Sequence, residues 1–312
     1  MRALVVLLVG LAALLGPGTA DGMAAKCFGA PVTIFGTEGN DTIFGTPGDD
    51  VIKTMGGMDL VFALDGNDRI CGGEPRDRLI GGPGNDRVSA HAGNDFIRTG
   101  AGRDFVLTGP GKDYVNSGIG SDDIEGQAGR DQVFAGPGPD FVNAGSGDDE
   151  VHLGSGLDTG VDGSGEDIVR GDRGTDVLSP TRGAADFFVG SAGSDWIFMG
   201  SVDGSITVDL SMGQMTGVTG DDEIESIENV RGSSRNDTLI GDENDNILIG
   251  HEGDDHIEGR GGDDRLDGGE GDDLLNGGPG TDRLQGGPGT DECLNGETVL
   301  NCEGSRRRGT GR

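Results

Sequence analysis

The chain has 312 residues, of which 65 are Gly and only 4% aromatic, and 56 acidic against 23 basic residues leave a formal charge of -33. That length would ordinarily give two globular domains, but this composition excludes an ordinary packed core and disfavours nucleic acid as a partner while favouring a cationic one. Composition alone also fits a disordered chain, too poor in apolar surface to offset the entropy of ordering, and only order within the sequence argues against it.

At the N terminus, Arg2 precedes an apolar run from Ala3 to Leu15, followed by Gly16, Pro17 and small residues around Ala20 and Ala25. This is the pattern of a secretory signal peptide, residues 1–25, with cleavage after Ala20 or Ala25. The run is short for a membrane span, and no later stretch approaches about 20 apolar residues. The mature chain is therefore expected to be secreted, with the cell surface as an alternative location, and to have no transmembrane segment. Export places it where calcium is on the order of millimolar and cysteines can oxidise.

After a short N-terminal cap, residues 26–35, Asp recurs at every ninth position from Asp41 through Asp50, Asp59, Asp68, Asp77, Asp86, Asp95, Asp104, Asp113, Asp122, Asp131, Asp140, Asp149, Asp158 and Asp167 to Asp176. Gly lies two residues before each, with Pro75 as the exception, and an aliphatic residue two after, with Gly160 as the exception. The frame slips by one to Asp186 and continues to Asp195, closing a first block, residues 36–198. Residues 199–231 abandon the period; alternating Ile206, Val208 and Leu210, then Ile224, Ile227 and Val230, predict a hairpin or edge strands packed on the repeats. A second block, residues 232–294, restarts at Asp237, passes Asn246 and runs through Asp255, Asp264, Asp273, Asp282 and Asp291. Residues 295–312 form a C-terminal cap and a basic tail with Arg306, Arg307, Arg308 and Arg312.

Gly259-Arg260-Gly261-Gly262-Asp263-Asp264-Arg265-Leu266-Asp267 and Gly268-Gly269-Glu270-Gly271-Asp272-Asp273-Leu274-Leu275-Asn276 both follow G-G-x-G-x-D-x-U-x with U aliphatic. The unit resembles the nonapeptide repeat of the RTX, or haemolysin-type, calcium-binding family, over nearly the whole mature chain. The resemblance implies six residues in a calcium-binding turn and three in a short strand. Two repeats then make one 18-residue coil of an all-β fold, a parallel β-roll or right-handed β-solenoid. The Ile227-Glu228-Asn229-Val230 stretch is similar to inserts in that family, so the segment is not read as a catalytic domain.

The residues point the same way. A three-residue strand sends only its aliphatic position inward, and Gly-rich sextets tolerate the positive φ needed to reverse the chain while leaving carbonyl oxygens open to an ion. Coils about 4.8 Å apart stack every second Asp into one column, where neighbouring carboxylates repel by roughly 0.9 kcal/mol in water and about 3.5 kcal/mol at an effective dielectric near 20. Calcium, which takes oxygen ligands, reverses that sign.

The candidate calcium ligands are Asp41, Asp50, Asp59, Asp68, Asp86, Asp95, Asp122, Asp140, Asp149, Asp167, Asp237, Asp255, Asp264, Asp273, Asp282 and Asp291. Asp77, Asp104, Asp113 and Asp131 are set aside because Arg76, Arg103, Lys112 and Arg130 precede them. Many first-block repeats begin with Thr, Ala or Ser where the family has Gly, so Asp255 to Asp291 are the strongest sites.

Cys27, Cys71, Cys293 and Cys302 lie near the ends of the array and read as end clamps. Cys293 occupies an apolar slot, and pairing with Cys302 would close a short loop worth about 2.7 kcal/mol in the chain-entropy model; Cys27 with Cys71 follows by elimination. No catalytic motif is found, and His91, His152, His251 and His256 occupy variable slots. The chain therefore reads as a secreted, non-enzymatic calcium-binding structural or surface protein. Two alternatives remain: a calcium-dependent adhesion or self-association module, for which outward Phe44, Phe62 and Ile80 in one column and Phe96 and Tyr114 in another are the motive, or a polysaccharide-modifying enzyme.

Overall fold

A computed structural model describes residues 26–200 and 202–303, so the expected signal peptide and the arginines of the basic tail lie outside the described residues. Every regular element among them is a strand, and no helix is long and apolar enough to cross a membrane. The short strands that follow successive Asp residues alternate between two walls. Along one wall, Thr42–Phe44 pairs in parallel with Leu60–Phe62 and that with Arg78–Pro83; along the other, Val51–Lys53 pairs with Arg69–Cys71 and that with Arg87–Ser89. Partners lie 18 residues apart, as in Ile43 with Val61 and Ile52 with Ile70. The chain is thus a parallel β-solenoid with one coil per two repeats.

The core is the double column of aliphatic residues that the three-residue strands aim inward. Val61, Leu79, Ile97 and Val115 from one wall and Ile70, Val88, Val106 and Ile124 from the other are fully buried. Gly160 interrupts the column, and its space is filled by Leu153 and Val169, whose methyl carbons lie 3.2 and 2.9 Å from where a Cβ at Gly160 would stand. Leu153 itself occupies a turn slot that elsewhere holds smaller residues, so the two exceptions compensate within one coil.

In the middle of the first block, glycine two residues before a ladder Asp is a packing requirement. At Gly147, φ is 130°, and an added Cβ would stand 1.3 Å from the carbonyl oxygen of Gly129 in the preceding coil. No side chain fits there without parting the coils.

The aperiodic segment contains the expected hairpin, Ile206–Asp209 antiparallel to Gln214–Gly217, followed by antiparallel Gly220–Glu225. These strands are not laid on the roll; they are part of one wall. Gly220–Glu225 pairs in parallel with Phe187–Val189, and Ile206–Asp209 pairs in parallel with Thr238–Ile240. The opposite wall runs straight past, Trp196–Phe198 to Asn229–Arg231 to Ile247–Glu252, in a single 15-stranded sheet.

Both expected disulfides are present. Cys27–Cys71 does not close an end of the roll. It fastens a two-stranded hairpin, Lys26–Cys27 with Ala30–Pro31, beside the strands Val51–Lys53 and Arg69–Cys71. There the Arg87 guanidinium stands 4.7 Å from the Phe28 ring centre and 5.0 Å from that of Phe105, and the two rings meet edge to face at 6.1 Å, contacts that tie the hairpin to the wall. Cys293–Cys302 does clamp the last coil, whose strand Thr298–Leu300 pairs with Arg283–Gln285.

Candidate functional site: two carboxylate ladders

Each periodic Asp sits where a turn enters a strand, with its carboxylate folded back into the turn. Its Oδ1 accepts the backbone N–H of the ladder residue one coil earlier: Asp86 from Asp68 at 2.9 Å, Asp104 from Asp86 at 2.7 Å, Asp264 from Asn246 at 2.9 Å and Asp273 from Asp255 at 2.9 Å. The pattern makes one ladder per edge. One rises from Asp41 through Asp167 and Asp186 to Asp222, and resumes from Asp237 to Asp291. The other rises from Asp50 through Asp176 to Asp195.

The second carboxylate oxygen decides the chemistry. Oδ2 of Asp59, Asp68, Asp86, Asp95, Asp122, Asp140, Asp149, Asp167, Asp255, Asp264, Asp273 and Asp291 is buried and accepts no hydrogen bond. A buried, unpaired anionic oxygen repeated from rung to rung is costly, because nothing replaces the water it has lost. Desolvation accordingly raises the ladder pKa values, to about 7 at Asp86, Asp95 and Asp264 and to about 8 at Asp255, with neighbouring rungs adding to the rise. Donors that are all oxygen, anionic and unsatisfied fit a hard divalent cation, and glycine makes the room for them. At Gly259 and Gly268 an added Cβ would stand 2.2 Å from Oδ2 of Asp264 and Asp273.

Three predicted residues are placed differently. Oδ2 of Asp41 and Asp50 accepts the N–H and hydroxyl of Thr37 and Thr46, and Oδ2 of Asp237 accepts those of Ser233. Each belongs to a turn whose own hydroxyl supplies the missing partner. Asn246 closes its rung without charge, donating from Nδ2 to the Glu228 carbonyl at 3.0 Å and accepting from the Asp242 N–H at 2.9 Å.

Other rungs escaped the sequence reading. Asp104, Asp113 and Asp131 have the same buried, unpartnered Oδ2 despite the cations before them, because Arg103, Lys112 and Arg130 are exposed while the Asp turns inward. Asp77 alone of that group has its Oδ2 taken, by the Gly73 N–H at 2.9 Å. Asp158, Asp176, Asp195 and Asp222 also carry the free oxygen. Two glutamates complete the second ladder off the nine-residue frame: Glu228 accepts from Asp195 at 2.8 Å and Glu297 from Asp282 at 2.6 Å. The longer Glu side chain reaches the rung from a shortened turn, which no Asp-based period could reveal.

A second, exposed ladder occupies the slot just before the buried one and runs the opposite way. Here the side chain accepts from the coil that follows: Asn67 from Asn85 at 2.9 Å, Asp245 from Asp263 at 2.7 Å and Asp254 from Asp272 at 2.9 Å. The outward columns on the wall also align as expected. Phe44 and Phe62 stack at 5.2 Å, Phe134 and His152 stack at 4.9 Å further along the same column, and Phe96 and Tyr114 stack at 5.0 Å in the neighbouring one.

A parallel solenoid edged by buried carboxylate ladders defines a class of repeat protein whose fold calls for counterions. The profile described as RTX calcium-binding nonapeptide repeat (4 copies) matches residues 35–70, 72–106, 92–124, 99–133, 125–160, 153–184, 180–198, 231–266 and 258–293. The chain belongs to this family of calcium-binding repeats. No curated protein matches it as a relative.

Proposed function

We propose that this is a secreted structural or surface protein whose roll is completed by several calcium ions held in its turns. The observation that carries the reading is the column of buried, unpartnered Oδ2 atoms. The ligands would be Asp59, Asp68, Asp86, Asp95, Asp122, Asp140, Asp149, Asp167, Asp255, Asp264, Asp273 and Asp291, together with Asp104, Asp113 and Asp131. Bound calcium supplies two positive charges and accepts six to eight oxygens. The ladder residues hold Oδ1 on the neighbouring coil and present Oδ2 inward, so each turn arrives with a donor already oriented. Asp41, Asp50 and Asp237, whose Oδ2 is already paired, contribute less.

Folding is then linked to the ion, each occupied site adding about 2.7 kcal/mol at a hundredfold excess over its dissociation constant. The test is circular dichroism of chelator-stripped mature protein during a calcium titration. A coil spectrum that converts to β on titration is expected; a β spectrum that calcium leaves unchanged, with no ion uptake, overturns the reading. The role is one of binding and support rather than catalysis. His152, with Nδ1 3.3 Å from Asp172 and Nε2 3.4 Å from Glu150, is stacked on Phe134 as part of the outward column. That stacked column also favours a second reading, a calcium-dependent adhesion or self-association face, which light scattering with and without calcium tests.

A further inference from the structure

The repeat breaks its own rule once in a way that adds charge. Five residues before the periodic aspartates the chain carries Gly, Ala, Thr, Ser and, once, Leu153; Asp162 is the carboxylate in that slot. Where the slot holds Gly, the ladder Oδ2 lies close to where a side chain would begin, 2.2 Å from the Cβ position of Gly81 in the case of Asp86. A carboxylate growing from residue 162 therefore enters the space beside Asp167.

Asp162 is fully buried, its Oδ1 accepting the Gly163 N–H at 2.6 Å and its Oδ2 the Thr181 N–H at 3.2 Å. Oxygens of Asp162, Asp167 and Asp186 lie within 4.8 Å of one another, the one such group of three among the described residues. Asp186 comes from the following coil, across the turn that the frame slip lengthens by one residue; residues 182–185 of that turn are exposed, which opens a route from solvent. Asp167 is 2% exposed, and its Oδ2 accepts no hydrogen bond. Among the described residues, no Lys, Arg or His forms an ion pair with any of the three. Three buried carboxylates at this spacing require a cation or shared protons among them.

The geometry points to a divalent-cation site of the calcium class built by Asp162, Asp167 and Asp186, separate in composition from the repeat turns and the tightest in the molecule. A repeat turn offers one free carboxylate oxygen per rung; this site adds a third full charge to two rungs. It rests on the proposed function only in sharing two ladder residues, and it locates the strongest ion at the coil where the frame slips and the aperiodic wall begins.

The experiment is a calcium titration of chelator-stripped mature protein against a competing chromophoric chelator, comparing the natural chain with D162N and D186N. Asn at either position keeps the volume and one hydrogen-bond acceptor but removes a charge. The natural chain is expected to show one step at least tenfold tighter than the others. Each variant should lose that step, keep the weaker ones and reach the same circular dichroism at saturating calcium, and the double variant should lose no more than either single one. A D162N protein that keeps the tight step overturns the site, as does a natural chain that takes up calcium with no tight step; in both cases the ladder reading stands. A natural chain that takes up no calcium overturns both. Should D162N fail to fold, retention of the tight step by D186N is the overturning result.

Discussion

The turns leading to Asp59 through Asp149 and those leading to Asp255 through Asp291 follow one backbone and satisfy it differently. In the earlier turns, Thr54, Thr99, Thr108 and Ser117 sit five residues before a ladder Asp, and a hydroxyl beside the carboxylate counters part of the rise that burial causes. The Thr99 hydroxyl also donates to the Ser117 carbonyl at 2.9 Å and the Ser117 hydroxyl to that of Ala135 at 2.7 Å. In the later turns that slot is Gly throughout, and Asp254, Asp263 and Asp272 stand directly before the ladder, adding charge where the earlier turns have an uncharged or basic residue, with Asp148 as the exception. The difference teaches that one solenoid backbone can carry hydroxyls, stacked rings and a side-wall disulfide in one stretch, and bare glycine with doubled carboxylates in another.

The largest effect should come from withdrawing calcium in steps while following amide hydrogen exchange. Strands from residue 247 to 294 are expected to lose protection at a free calcium level at least tenfold higher than strands from 96 to 153, because a solenoid opens where its nearest-neighbour contacts are weakest. A single shared midpoint would erase the distinction.

A smaller effect is expected from exchanging the fillers of the slot. Gly259→Ala puts a Cβ 2.2 Å from Oδ2 of Asp264 and 2.7 Å from the Gly277 carbonyl, so the rung must shift; a loss of about 1–3 kcal/mol at saturating calcium is expected. Ala144→Gly, at the same slot in the earlier turns, should cost only about 0.5–1 kcal/mol through added chain freedom. Denaturant midpoints of the two variants check this, and equal losses would show that the slot is not specialised.

The smallest effect concerns pH without calcium. The ladder pKa values are raised in the folded state, to about 8 at Asp131 and Asp255 and about 7 at Asp140, Asp167 and Asp176. A raised carboxylate means that the folded state holds protons the unfolded state has released. This contribution to stability is complete below about pH 4, the unfolded value, and is lost as pH rises through about 6 to 8. In chelator, β structure should therefore increase on acidification from pH 8 to pH 5, in the earlier and the later turns alike. Circular dichroism and exchange at the two pH values measure it; a roll that weakens on acidification would contradict the burial argument.

Much of this architecture is legible in the chain because it is periodic. The nine-residue Asp spacing, the inward aliphatic slot and the Gly two residues before most of these Asp dictate strand, turn and coil through local geometry alone. Cys293 in an inward slot was enough to place the last disulfide. At Asp104, Asp113 and Asp131 the preceding cation leaves the buried oxygen unpaired, because adjacency in sequence is not adjacency in space: a residue one position earlier points to solvent. Asp41, Asp50 and Asp237 obey the period yet lose their free oxygen to the hydroxyl of a Thr or Ser four residues before them.

What the sequence by itself determined is the repeating unit and the identity of its buried column, since both follow from side-chain alternation and backbone freedom within nine residues. The tertiary structure decided which carboxylate oxygen remains free and which wall absorbs the aperiodic strands. It also decided that Glu228 and Glu297 serve as rungs and that Asp162 meets Asp167 and Asp186. Each of these is a contact between coils, set by how one turn stacks on the next, and such distances are written in no single repeat.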